Sequence, residues 1–176
     1  MTRINYDETA GLKDAMPADN FELVFGSIPN YSGSSRNLTL RAQQAVIPGM
    51  SNEVMPVTLH GFDMVFSGKN TWPKTLTVAF VEGSQDMEVM NAIGQWQQAV
   101  RGTKSGTSLG YSSQYSADIR LNVYDSPGNQ VKSVLIKRAM PQDRPDIQLD
   151  STSTQPMLQN ITFGYWKAII DGINER

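Results

Sequence analysis

One amphipathic segment, Ser84 to Gly102, constrains the fold of this chain more than any other stretch of its sequence. Four apolar residues recur there at the period of an α-helix with one buried face, namely Val89, Ile93, Trp96 and Val100. Ser84 suits the N-cap position, and Gly102 suits the left-handed position that ends many helices. We therefore predict one helix over about residues 84–101, whose apolar face needs a partner surface.

Most of the remaining chain alternates between apolar and polar residues, which is typical of β-strands with one buried face. About seven segments carry this pattern: residues 21–25, 38–47, 57–67, 75–82, 117–123, 131–140 and 158–166. The pattern predicts a mainly β fold of the α+β class. Its core would be two packed antiparallel sheets or a β-barrel, flanked by the one α-helix.

Length and charge narrow the class of protein. The 176 residues are enough for one domain and too few for two, so we predict a single domain over residues 1–176. Residues 1–20 are polar with little to bury, and we expect them to form a mobile N-terminal arm. Fifteen Lys and Arg residues against 17 Asp and Glu residues leave a net charge of −2. This balance argues against a protein that grips nucleic-acid phosphates.

No group of residues points to catalysis, a metal or a cofactor. The single histidine, His60, falls within a strand pattern and has no motif partner. Asp143, Asp146 and Asp150 crowd one segment, but their spacing does not match an EF-hand, and we interpret them as a solvated acidic loop. We expect a non-enzymatic protein without a cofactor.

Membrane association is not expected either. The longest unbroken apolar run, residues 78–81, is four residues long, which is too short for a signal peptide or a membrane-spanning helix.

Several of the strand patterns are apolar on both faces. Val65 lies opposite Phe62, Met64 and Phe66, and the same holds for residues 78–81. A monomeric sandwich would expose the second face to water, whereas oligomerisation would cover it.

Taken whole, residues 20–170 resemble the tail-tube proteins of contractile-tailed bacteriophages, and more distantly the stacked-ring tube protein of type VI secretion. Four segments carry the resemblance: AVIPG at 45–49, LTVAFVEGSQDMEVMNAIGQW at 76–96, LNVYDSPGNQV at 121–131 and ITFGYW at 161–166. The resemblance implies a structural virion protein, made in the host cytoplasm, whose hexameric rings stack helically into a hollow tube that conducts DNA to the host cell. It further implies sheath, tape-measure and baseplate proteins as partners, with only non-specific passage of viral DNA.

Within such a tube we expect the hairpins at residues 38–67 and 117–140 to line the lumen. Their charged residues would then face the lumen or a neighbouring subunit, although an ordinary solvated strand face fits them equally well: Arg41, Asp118, Arg120 and Lys137. Ring-to-ring contacts are expected from the N-terminal arm and from residues 49–56, with Asp7, Glu8, Asn52 and Glu53 as the candidates.

Two other functions fit the same sequence. The chain could be a tube initiator or terminator, or a secretion-system ring protein, which would form closed rings without long tubes. From a different class, it could be a ligand-binding β-sandwich module that presents Trp72, Tyr111 and Tyr115 as a platform.

Overall fold

Nine strands and three helices make up the part of the chain that the computed structural model describes, residues 16–102, 110–147, 149–150, 152 and 154–170. In chain order they are β1 (Phe21–Phe25), α1 (Ser35–Arg41), β2 (Ala42–Ala45), β3 (Ser51–Leu59), β4 (Phe62–Thr71), β5 (Thr75–Val81), α2 (Glu88–Val100), α3 (Ser112–Tyr115), β6 (Ala117–Tyr124), β7 (Gln130–Asp143), β8 (Leu158–Gly164) and β9 (Lys167–Ile170).

Seven of the strands form one antiparallel sheet, and β3 and β4 form a second sheet of their own. The larger sheet has the order β1-β6-β7-β8-β5-β2, with β9 paired to β7. Its path ends at β1 and β2, so the described strands form antiparallel sheets and not a closed barrel. This confirms the mainly β class and decides between the two architectures that the sequence left open.

The 14-residue strand β7 folds the large sheet over one core. Its first part pairs with β6 and β9, and its last residues pair with β8. The two halves of the sheet meet face to face, since the ring of Phe25 on β1 lies 6.0 Å from the rings of both Phe80 on β5 and Phe163 on β8.

A local irregularity in β7 changes which residues face the core. Alternation predicts Arg138 on the same face as Val134 and Ile136, but Arg138 has a left-handed backbone with φ of 52°. The register against β6 shifts at this point, and Ala139 is buried in place of Arg138.

The main helix, α2, packs its apolar face against this core. Val89, Ile93 and Trp96 are fully buried, and Val100 is partly buried at the edge of the cluster. The indole ring of Trp96 lies 5.5 Å from the ring of Phe163, and its Nε1 donates to the carbonyl of Tyr115 at 2.7 Å. The only polar group of the indole is therefore satisfied inside the core.

Helix α2 begins later than the sequence predicts. Its N-cap is Met87, with a left-handed φ of 46°, so the prediction of Ser84 was wrong. The carboxylate of Glu82, at the end of β5, accepts hydrogen bonds from the first-turn amides of Val89 and Met90 at 2.9 and 3.0 Å. Glu82, which lies outside the helix, thus acts as its side-chain cap. At the other end the helix stops in extended backbone at Arg101.

The predicted strand over residues 38–47 is largely wrong. Residues Ser35–Arg41 form α1, with the hydroxyl of Ser34 accepting from the amide of Arg36 at 3.3 Å, and only Ala42–Ala45 pair as a strand. Leu38 is buried while Leu40 is 70% exposed, so the apparent alternation does not mark one buried face. A helix of seven residues is too short to show its period clearly.

Three further boundaries differ from the prediction. The pattern over residues 57–67 spans a hairpin turn, because His60 and Gly61 both have positive φ, 51° and 82°. The last predicted strand, residues 158–166, ends two residues early at Gly164, and β9, which the sequence did not predict, follows at Lys167–Ile170. Part of the predicted connection after α2 forms the short helix α3, while residues 103–109 lie outside the described chain.

Candidate assembly surface

The most exposed element of the described chain is the hairpin of β3 and β4, residues 51–71, which we call the apolar hairpin. Its strands of nine and ten residues pair with each other and with no strand of the larger sheet in the described part. Every residue of both strands is exposed except Val57, which is half-buried. A two-stranded ribbon of this kind is marginally stable in water without a packing partner.

The apolar hairpin carries large apolar side chains on both faces. Phe62 is 75% exposed and Val65 is 67% exposed. Because successive side chains of a strand point to alternate faces, these two residues, three positions apart, lie on opposite faces of the hairpin. The exposed set comprises Val54, Met55, Leu59, Phe62, Met64, Val65 and Phe66. Val46, Ile47 and Met50 extend it along the connection from β2. An apolar surface of this extent marks an interaction site.

The second strand predicted to be apolar on both faces behaves differently. In β5, Ala79 is buried and Val81 is half-buried, so this chain covers both faces of β5 itself. The exposed apolar surface is thereby concentrated on the hairpin.

Two of the residues predicted for ring-to-ring contact lie at the base of the apolar hairpin. Asn52 pairs with Asn70 and Val54 pairs with Ser67, so Glu53 lies opposite two residues of β4, Gly68 and Lys69, where the register shifts. Both side chains are exposed. The other two candidates, Asp7 and Glu8, lie outside the described residues.

Three of the four charged residues predicted to face a lumen or a neighbour lie together on the outer face of β6 and β7. The Nζ of Lys137 lies 2.8 Å from Oδ2 of Asp118, and Arg120 is exposed beside them. They line a shallow depression with Val24 and Leu135.

The electrostatics of that face depend on Asp118. Partial burial acts to raise the pKa of its carboxyl, but hydrogen bonds from the Lys137 ammonium and the Arg138 amide outweigh it and lower the pKa below the ordinary value. The charged form is therefore favoured at neutral pH.

The fourth charged residue, Arg41, lies apart from this face. It is the last residue of α1, and its guanidinium lies 3.6 Å from Glu88, the first residue of α2, and 3.9 Å from Asp86 just before that helix. Glu88 also accepts from Tyr31 at 3.0 Å and from Asn37 at 2.6 Å. Burial, followed by the neighbouring Glu88, raises the pKa of Tyr31 to about 12. Arg41 thus joins α1 to α2 within one chain.

Other candidate sites gain no support from the geometry. Within the described residues, no three His, Cys, Asp or Glu side chains form a group that could hold a metal ion. Trp72 and Tyr115 are partly buried, so only Tyr111 of the three aromatic residues suggested as a platform is largely exposed. None of the helices in the described ranges is long and apolar enough to cross a membrane.

A folded β-sheet body that leaves a long hairpin uncovered on both faces is typical of a subunit built for assembly. The family comparison identifies which class of subunit this is. Residues 16–170 match the sequence model of the phage tail tube protein family, and the chain belongs to that family. It is therefore a structural component of the virion tail and not an enzyme, as the resemblance in the sequence implies.

Solved structures share the fold. The extended sheath–tube complex of PVC, an extracellular contractile injection system, contains a chain 14% identical with a TM-score of 0.61, covering 97% of this chain and 99% of that chain. The PVC sheath/tube terminator is 14% identical with a TM-score of 0.64, at coverages of 92% and 100%. The tube-terminating cap of the anti-feeding prophage AFP is 15% identical with a TM-score of 0.63, at 92% and 93%. No curated protein matches the chain at a significant level.

The feature that sequence reasoning missed is the extent of the apolar hairpin. Val54 and Met55 were not among the candidates, because residues 49–56 were expected to form a loop. A signal was present in His60-Gly61, a pair with glycine at the second position that suits a two-residue turn with positive φ at both residues.

Proposed function

We propose that this protein is the repeating subunit of a tail tube in which six copies close into a ring and the rings stack helically into a hollow tube that conducts DNA to the host cell. The single observation that carries the proposal is the apolar hairpin, which this chain leaves open to water on both faces. Burial against a second copy would remove that surface from water. At about 25 cal/mol per Å², this gain would favour association strongly.

Ring closure is further supported by the edges of the large sheet. β1 pairs with β6 and β2 pairs with β5, so each leaves one edge without a strand partner in the described part. Exposed edges attract strands from other chains, and a closed ring removes them. Stacking of rings would be a heterologous contact that propagates as an open helix.

The outer face of β6 and β7 is our candidate for the surface that faces the lumen or the neighbouring subunit. DNA passes freely only through a wall that does not hold phosphate. Pairing of Lys137 with Asp118 neutralises one of the two cations of this face and leaves Arg120 as its exposed positive charge. A lumen lined by strongly basic side chains would contradict this assignment.

Partners follow from the same proposal. The structural neighbours belong to a sheath–tube complex, a terminator and a baseplate, which supports sheath and baseplate proteins as partners of this subunit in the virion. A tape-measure protein and viral DNA would occupy the lumen. We assign the contacts between rings to Asp7, Glu8, Asn52 and Glu53, and we assign synthesis to the host cytoplasm.

Negative-stain electron microscopy of the purified protein across a concentration series tests the proposal. Hollow tubes with stacked six-fold rings are the expected result. Particles that stay monomeric at every concentration would contradict it.

A tube terminator is the second candidate, because the terminator and cap structures are as similar to this chain as the sheath–tube complex is. In the same images a terminator would give single six-fold rings that do not stack. Ring stacking therefore separates the two functions.

A further inference from the structure

A cleft of about 690 Å³ lies on the body, at the junction of β8 and β9. Its walls come from β7, from the residue before β5, from α3 and from the turn after β8. Its lining includes Lys74, Arg138, Tyr165 and Trp166, and we call this site the cationic cleft.

The cationic cleft carries two positive charges and no negative one. Of its ten described lining residues, Lys74 and Arg138 are cationic, and none is Asp or Glu. The neighbouring carboxylate of Asp118 is bound by Lys137 and by the backbone amide of Arg138. The Arg138 guanidinium itself has no ion pair in the described chain. The lining of the cleft is therefore locally positive, although the chain as a whole has a net charge of −2.

Both cations are held in place around one exposed ring. The guanidinium carbon of Arg138 lies 4.9 Å from the centroid of Trp166, and Nζ of Lys74 donates to the Trp166 carbonyl at 2.7 Å. Both residues have left-handed backbones, with φ of 52° for Arg138 and 58° for Lys74. Such conformations are costly for residues with a side chain and cluster at ligand-binding positions.

A buried phenol also belongs to the wall of the cleft. The hydroxyl of Tyr165 is buried and has no hydrogen-bond partner among the described residues. Burial raises the pKa of this phenol against a smaller opposing contribution from the Lys74 backbone, so it keeps its proton and adds no negative charge to the cleft. Two cations, one of them held against the indole of Trp166, form a set that suits a carboxylate.

We propose that the cationic cleft binds an exposed carboxylate side chain of an adjacent copy of this chain. The inference rests on the proposed self-assembly and names one of its contacts. Charge complementarity favours a second copy, because Glu53, Asp143 and Asp146 are exposed acidic residues without an ion pair in the described chain. In a ring or stack with heterologous contacts, each copy places its cleft against one neighbour and its acidic residues against the other. The same ion pair is therefore repeated at every contact of the assembly.

Photo-crosslinking tests the contact directly. Trp166 is largely exposed, so p-benzoyl-phenylalanine can replace it as a photo-crosslinker. The protein for this experiment is an equal mixture of unlabelled and ¹⁵N-labelled chains of residues 1–176. We expect crosslinked dimers of mixed isotope composition whose second peptide contains Asp or Glu. Absence of mixed dimers, or capture of a peptide without an acidic residue, would overturn the proposal.

Charge variants provide the second test. The double variant Lys74→Gln with Arg138→Gln should raise the protein concentration needed for assembly at least tenfold. Arg36→Gln is the control, since it removes one cation from an exposed pair with Glu22 on another surface. Equal assembly of the double variant and the control would refute the cleft. If the double variant does not fold, the single variants Arg138→Lys and Arg138→Gln replace it. Equal assembly of these two variants, of which only the first keeps the charge, would also refute the cleft.

The two proposals fail differently. Mixed-isotope crosslinks from Trp166 in a preparation without tubes would support the cleft and contradict the tube. Tubes that form normally without crosslinks from Trp166 would support the tube and exclude the cleft from the contacts between subunits.

Discussion

Oε1 of Glu82 lies 2.9 Å from the backbone nitrogen of Val89, so the residue that directly follows β5 caps the main helix from outside. The same carboxylate accepts from Met90 at 3.0 Å and contacts the amide of Gln159 on β8. One side chain therefore ties α2 to two neighbouring strands.

Replacing Glu82 should destabilise the protein through the helix start. We expect Glu82→Ala to lower the free energy of unfolding by about 1–2 kcal/mol, which is the usual cost of losing a helix cap. Glu82→Gln keeps one acceptor oxygen and should cost less. Urea denaturation followed by far-ultraviolet circular dichroism measures both. Equal losses in the two variants would show that the hydrogen bonds to Val89 and Met90 are not the source of the effect.

The buried face of α2 predicts a gradient of mutational effects. Trp96→Ala should cost about 3–5 kcal/mol, because it empties a fully buried site against Phe163 and removes a satisfied indole. Val100→Ala should cost clearly less, since Val100 is only partly buried. Thermal and urea denaturation of the two variants check the order, and a larger loss at Val100 would contradict the observed packing.

The apolar hairpin should matter for assembly more than for the stability of the isolated subunit. Phe62→Ser and Val65→Ser remove side chains that one copy leaves in water, so we expect the free energy of unfolding to change by about 0.5 kcal/mol or less. The same variants should abolish tubes in electron micrographs. Thr58→Ser, which keeps a hydroxyl near Asp63 on the same hairpin, is the matched control. Normal tubes from the Phe62 and Val65 variants would exclude the hairpin from the interface.

The ion pair of Asp118 and Lys137 predicts a defined pH dependence. The pKa of Asp118 is lowered in the folded chain, so its contribution to stability is present above the unfolded pKa of about 3.9 and is lost as the pH falls through the lower folded value. Because both side chains are partly exposed, we expect Asp118→Asn to cost about 0.5–1 kcal/mol at pH 7.

Urea denaturation between pH 7 and pH 2.5 measures this difference. The stabilities of wild type and Asp118→Asn should converge at the acidic end. Asp143→Asn serves as the control, since Asp143 is exposed and has no ion pair in the described chain. A difference between wild type and Asp118→Asn that persists unchanged at pH 2.5 would show that charge is not its cause.

Local patterns were sufficient wherever one element repeats its period several times. Helix α2 spans more than three turns, so Val89, Ile93 and Trp96 mark its buried face in the sequence. Strands β1, β5 and β6 lie close to where the pattern predicts them. The resemblance to tail-tube proteins likewise depends on the order of segments along the chain, and the family match confirms it.

Short or interrupted elements were not decided by local pattern. Helix α1 has seven residues and one buried side chain, Leu38, so its sequence fits a strand as well as a helix. In the apolar hairpin, alternation continues across the turn at His60 and Gly61, and the two strands read as one.

What the sequence by itself determined was the mainly β class, the main helix, the absence of a catalytic motif and the tail-tube resemblance, because each depends on residues close together in the chain. Tertiary structure decided that the apolar hairpin stays uncovered, that Arg41 pairs within its own chain, and that Lys74, Arg138 and Trp166 meet in one cleft. These depend on strand pairing between residues far apart, such as β5 with β8, and on left-handed positions that redirect single side chains. Neither leaves a periodic trace in the sequence.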